Sequence, residues 1–308
     1  MDSEEAAVRT LFLLLLTTLL PALAHGQVQV FACEPEWGAL TNALAGDRAE
    51  VFVATTANQD PHHIEARPSL IAKMRRADLV VCTGAELEVG WLPLLIRRSG
   101  NPNVQTDQPG YFEAAMSVPR LNIPETLDRS HGDVHSAGNP HVHLDPHRLL
   151  SIARALAERL QQVDPPHQAH YQQRLDDFAQ HWQRRIQHWE QQAQALSGLK
   201  VVVHHQDWLY LNHWLGLNQV ATIEPRPGIP PSAADQKRLL RTLTDQPPDA
   251  ILIAGYQNPQ AARWLAERLQ VPLVTLPYTV GGDSHSNGLS ELFQRTLHLL
   301  LQTRKVAP

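Results

Sequence analysis

Short apolar runs alternate with amphipathic stretches along most of this chain. Residues 28–34 (VQVFACE), 49–56 (AEVFVATT) and 77–84 (ADLVVCTG) read as strands. Between and after them, EWGALTNALAG, SLIAKMRRA and AELEVGWLPLLIRRSG read as helices, the last closed by Gly100. The alternation restarts with strands at 200–205, 218–224, 249–255 and 271–277, separated by helices that start near Ser232 and Asn258 and followed by a closing helix, GLSELFQRTLHLLLQ. Strands that are apolar throughout, rather than every second residue, predict parallel sheets covered on both faces. Between the two blocks lie two helices. The first starts at Asp145-Pro146, a cap followed by a first-turn proline, and carries an apolar face from Leu149 to Leu160. The second carries Tyr171, Leu175, Phe178, Trp182, Ile186 and Trp189 as one sustained stripe. Spanning about 166–196, it would be about 45 Å long at the α-helical rise, which suits a strut across two units better than one small domain. The predicted fold class is therefore α/β: two lobes with parallel-rich sheets, residues 25–164 and 198–308, joined by a rigid linking helix over 165–197, with the ligand site in the cleft between them.

The N-terminus changes the picture of where the chain works. Arg9, an apolar run from Leu11 to Leu20 and Ala22-Leu23-Ala24 read as a secretory signal peptide over residues 1–24. The acidic MDSEEAAV before it does not suit such a segment, so the true start is left open. Export makes a Cys33–Cys82 bridge feasible, since both cysteines end predicted strands; two buried free thiols are the other reading. The 308 residues carry a formal charge of −5, which argues against nucleic acid as a partner.

Histidine is the unusual component: 17 of them, against 2 cysteines. Their placement matters more than their number. His62 and His63 follow the second predicted strand, His204 and His205 end the strand at 200–205, His141 precedes a helix start, and Asp283 follows the last strand. In open α/β sheets, ligands bind beyond the carboxyl ends of strands. Three imidazoles and a carboxylate would complete a tetrahedral zinc site. No HExxH motif supports a peptidase.

The segments DPHHIEARPS, ADLVVCTGAELEVGWLPLL, NPHVHLDP, a strand-end histidine before QDWLYL, and LPYTVGG occur in that order. Together they resemble the cluster A-I metal-binding solute-binding proteins of ABC importers, the zinc and manganese receptors, over nearly the whole mature chain. Within that family the chain is most similar to the Azt-type periplasmic zinc-binding proteins. The resemblance implies that His62 rather than His63, His141, and His205 rather than His204 bind the metal. Tyr210 follows His205 at the family's spacing. Asp283 is implied as the fourth ligand, with Glu291 or water as the fallback. His143 stands where the family has tryptophan and, like His204, would support a ligand or simply pack. The upstream stretch DRSHGDVHSAG offers His131, His135, Asp128 and Asp133 for auxiliary metal capture. The implied function is capture of Zn2+ in the periplasm and delivery to a membrane ABC permease, by a monomer, with a periplasmic zinc chaperone as a further partner and no enzymatic activity. A manganese receptor of the same family and a zinc hydrolase with an open three-histidine site are the competing readings.

Overall fold

The computed structural model describes residues 26–124 and 135–306. The expected signal peptide, and Asp128, His131 and Asp133, lie outside the described residues. Among the described residues, no helix is long and apolar enough to cross a membrane.

The first sheet is built from β1 (Val28–Ala32), β2 (Ala49–Val53), β3 (Leu79–Cys82) and β4 (Tyr111–Glu113), in the order β2-β1-β3-β4. The second contains β5 (Lys200–Val203), β6 (Asn218–Thr222), β7 (Ala250–Ala254) and β8 (Leu273–Leu276), in the order β6-β5-β7-β8. Every pairing in both sheets is parallel. Parallel pairing needs crossover connections, and helices supply most of them: α1 (Pro35–Ala45), α2 (Pro68–Arg76) and α3 (Leu92–Ser99) in the first lobe, then α6 (Leu209–Leu215), α7 (Ala233–Thr244) and α8 (Gln260–Leu269) in the second. The central strands β3 and β7 are buried at every position, as their uninterrupted apolar runs require. Each sheet reverses its winding beside its first strand, between β1 and β3 and between β5 and β7, which opens a crevice at the carboxyl ends there.

Asp145 caps α4 (Pro146–Val163), accepting from the His147 and Arg148 amides. The strut is α5 (Gln168–Ala193), extended by single 3-10 turns over Pro165–His167 and Gln194–Leu196. Its early turns are tied to the first lobe, where His170 and Arg174 donate to the Ala45 and Ala43 carbonyls. Its later turns pack on the closing helix α9 (Leu289–Val306), with Trp189 stacked on Phe293 at 5.1 Å. Trp182 donates to the Pro146 carbonyl and stacks on Phe178. The long helix therefore links the lobes through the aromatic stripe seen in its sequence.

Three local features differ from expectation, the first being α6, which was not expected between β5 and β6. Residues 85–91 form turns rather than the start of α3, and Ala85 and Glu86 adopt left-handed backbone at φ 49° and 67°. The cause is Glu88, whose buried carboxylate folds back to accept from the Thr83 and Gly84 amides. Strand β4 was not expected; it is three residues long and lies at the sheet edge. Cys33 and Cys82 are disulfide-bonded, joining the ends of β1 and β3 with Cα atoms 4.8 Å apart.

Candidate metal centre

Three histidines from three separate loops meet where the carboxyl ends of the two sheets face each other. The imidazole centroids of His62, His141 and His205 lie 5.7–6.1 Å apart. One nitrogen from each falls within 4.8 Å of the others.

Each imidazole is held in the same way. His62 sits in a turn whose Asp60 carboxylate accepts from both the His62 amide and Nδ1, the latter at 2.8 Å. Trp91 pins that turn by donating to the Pro61 carbonyl. Nδ1 of His205 lies 2.7 Å from Glu224 Oε2. Nδ1 of His141 lies 2.6 Å from the Tyr278 hydroxyl. The His141 turn is in turn fixed by Tyr210, which donates to the Asn139 carbonyl and accepts from the Leu121 amide. The carboxylates at Nδ1 of His62 and His205 hold a proton there, while the Tyr278 hydroxyl at Nδ1 of His141 can accept or donate; wherever Nδ1 is the donor, Nε2 is the nitrogen that serves a metal once any second proton leaves.

A carboxylate, Asp207, stands beside two of the three histidines. It is fully buried, with Oδ1 3.6 Å from His205 Nε2 and 4.0 Å from His141 Nε2. Its other oxygen accepts from Gln257 at 2.6 Å and from the Tyr256 hydroxyl. Asp207 Oδ1 and His62 Nε2 are both buried without a hydrogen-bond partner. Buried polar atoms left bare are uncommon, and a bound ion is one of the few things that accounts for them. The donor set fits a divalent cation: three imidazole nitrogens and one carboxylate oxygen, of a kind that suits zinc.

The electrostatics agree. Burial, then the neighbouring His62 and His205, drive His141 well below the usual histidine range, so it is neutral. Burial opposes a charge on His205, but Asp207 and Glu224 outweigh it and push its pKa up to about 9. Burial raises Asp207 against the pull of His205 and His62.

The other sequence candidates fall in various places. Asp283 is not brought to the cluster. One of its oxygens pairs with Arg295 Nε at 2.6 Å and the other accepts from the His285 amide, so the loop closes on itself. Glu291 is exposed in the first turn of α9. His63 is exposed, and His204 faces Glu224 at 3.6 Å instead of joining the three. His143 is buried against Glu36 and Tyr278. His135 does reach the site: its ring lies 5.4 Å from His62, and its Nε2 is buried without a partner. Burial, then the charges on His62 and His205, lowers its pKa to about 3. Asp207 was not among the expected residues, although an acid two residues after a strand-end histidine is a signal for it. Glu224, at the end of the strand predicted at 218–224, orients His205 through Nδ1.

Residues 30–300 match the family described as zinc-uptake complex component A, periplasmic (ZnuA). The chain belongs to this family. ZnuA-family proteins are metal-binding receptors of ABC importers, and its relatives divide between two metals. The manganese ABC transporter substrate-binding lipoprotein PsaA of Streptococcus mitis is 25% identical over 181 residues, 55% of each chain. The zinc-binding lipoprotein AdcA of Streptococcus pneumoniae is 26% identical over 200 residues, 63% of this chain and 38% of that one. The chain thus spans about half the length of the curated relatives it matches. A zinc-bound ZnuA deletion mutant shares the fold at a TM-score of 0.76 and 22% identity, covering 92% of this chain and all of that one. The binding protein FpvC of Pseudomonas aeruginosa, in complex with Mn2+, does so at 0.76 and 20%, covering 91% and 98%.

Proposed function

We propose that this chain captures Zn2+ between its lobes and delivers it to a membrane ABC permease, acting as a receptor and not as an enzyme. His62, His141 and His205 bind through Nε2, and Asp207 takes the fourth position in place of Asp283. One observation carries this reading: all three Nδ1 atoms lie against oxygens, while the Nε2 atoms of His141 and His205 face the bare, buried Oδ1 of Asp207 and the Nε2 of His62 is itself buried without a partner. Three imidazoles favour zinc over manganese, which prefers oxygen ligands. The lobes are taken as residues 25–164 and 198–308 with 165–197 between them, and the strut keeps their relative motion small. The protein works as a periplasmic monomer after export.

The test is metal content and stoichiometry of the purified protein beside His141→Ala and His205→Ala. One tightly bound zinc, lost in both variants, is expected. Zinc retained in both, or manganese held in preference to zinc, would sink the reading.

His135 supports a second element of this function. It lies beside His62 at the edge of the segment that carries Asp128, His131 and Asp133. The adjacent Ser136 amide donates to Glu86. We propose that this segment collects zinc, or accepts it from a periplasmic chaperone, and passes it inward. Deleting residues 129–137 should slow zinc transfer from a donor protein; unchanged kinetics would exclude the role.

A further inference from the structure

Glu36 is a carboxylate in the first turn of α1, in the first lobe, and is only 1% exposed. Burying a charged group is unfavourable unless partners compensate it. Thr279, in the loop after β8 of the second lobe, donates its hydroxyl to Glu36 Oε2. His143 Nδ1 lies 3.3 Å from Glu36 Oε1, though neither atom has a hydrogen-bond partner. The other nitrogen of His143 is 3.0 Å from the Tyr278 carbonyl, to which it donates. The His143 and Tyr278 rings meet edge to face at 5.0 Å. The Tyr278–Thr279 segment of the second lobe is thus held at two points, Thr279 by Glu36 and the Tyr278 carbonyl by His143. All four residues are buried.

Tyr278 is also the residue whose hydroxyl sits on Nδ1 of His141. A hydroxyl can accept from Nδ1–H or donate to a bare Nδ1; where it accepts, Nε2 keeps the lone pair that faces the other histidines, and a shift of the hydroxyl frees that proton to move to Nε2. We infer that Glu36 and His143 are positioning residues: across the cleft they clamp Tyr278, and Tyr278 sets the tautomer of His141. His143 therefore acts on the site through Tyr278 and not through its own packing alone.

The inference rests on the zinc reading only for its metal readout, and it can be tested without metal. The side-chain nitrogen–proton NMR correlations of His141 would be recorded in metal-free wild type, Tyr278→Phe, His143→Leu, His143→Gln and the Tyr278→Phe/His143→Leu double variant. Zinc would then be titrated into each against a chelator. Wild type should show the proton of His141 on Nδ1. His143→Leu and Tyr278→Phe should both lose that uniform tautomer and bind zinc at least about tenfold more weakly, the scale of losing an outer partner of a ligand. The double variant should bind no more weakly than Tyr278→Phe alone, because both changes break one chain. His143→Gln, whose amide still donates to the Tyr278 carbonyl, should recover most of the loss.

An unchanged His141 tautomer in His143→Leu, or losses that multiply in the double variant, would overturn the proposal. If His143→Leu does not fold, Thr279→Val takes its place by removing the hydroxyl that Glu36 holds, with the same tautomer change expected and an unchanged tautomer again decisive against it. If wild type binds no zinc, the zinc reading fails and the tautomer comparison alone decides this one.

Discussion

Asp207→Asn and Asp283→Asn separate the two carboxylates that compete for the fourth position. Asp207 Oδ1 stands 3.6 and 4.0 Å from two of the three converging nitrogens, so a cation held there lies within a few ångströms of it. A unit charge about 4 Å away interacts by about 4 kcal/mol at an effective dielectric of 20. Part of that is returned, because the same carboxylate helps hold on His205 the proton that the cation must displace. That proton opposes binding at pH 7 by about 2.7 kcal/mol, at 1.36 kcal/mol for each pKa unit, and Glu224 shares in the effect. The net loss in Asp207→Asn is roughly 2–3 kcal/mol, or about 30- to 160-fold in zinc affinity at pH 7. Competition with a chromogenic chelator measures it. Calorimetry in buffers of different ionisation enthalpy adds a second signature: fewer protons released per zinc than in wild type, because His205 has lost one of the two carboxylates that charge it. Asp283→Asn should stay within about twofold of wild type, since it breaks only a partly exposed pair with Arg295. Wild-type affinity in Asp207→Asn together with a large loss in Asp283→Asn would refute the assignment.

Three further outcomes follow from the same structure. With His205 raised to about 9, zinc binding should release one proton at pH 7, and apparent affinity should climb about tenfold per pH unit from about 6.5 to 9 and then level off; a profile flat from pH 6 to 8 would contradict histidine ligation by this residue. Burial raises Glu88 to about 7 and its partner Glu34 well above the carboxylate range. Folded pKa values above the unfolded ones make this contribution largest below about pH 4.5 and lose it as pH rises through about 7. Glu34→Gln should therefore raise the metal-free melting midpoint by a few degrees at pH 8 and by little at pH 5, and an unchanged midpoint at pH 8 would count against the buried pair. The Cys33–Cys82 bridge closes a separation of 49 residues, so Cys33→Ala/Cys82→Ala should lower stability by about 4 kcal/mol on chain-entropy grounds, read as a shift in urea midpoint; a loss under about 1 kcal/mol would show that the unfolded chain gains little freedom.

The two sheets were legible because burial on both faces forces apolar runs that need no long-range knowledge to read. The aromatic stripe of α5 was legible for the same reason: packing imposes its period on neighbouring residues. β4 escaped because Tyr-Phe-Glu is too short to show a period, and residues 85–91 escaped because the Glu88 side chain, not the apolar pattern, decides their backbone. The site divides along the same line. His62 has its orienting oxygen two residues away on Asp60, so both members stand together in the sequence. His205 finds its oxygen 19 residues away on Glu224, and His141 finds its own 137 residues away on Tyr278, in the opposite lobe. Spacing motifs brought out the histidines, but for His141 and His205 the partner at Nδ1 is one that only the fold supplies. The fourth position shows the consequence. Asp283 and Asp207 both follow strand ends, and both are acids near the cleft. They differ in what holds their oxygens: Arg295 and a backbone amide occupy both oxygens of Asp283, while Gln257 and Tyr256 occupy only one oxygen of Asp207. A carboxylate is free to bind an ion where the fold leaves an oxygen without a partner, and Arg295 and Gln257 stand 12 and 50 residues from the acids they hold, beyond the reach of any local pattern.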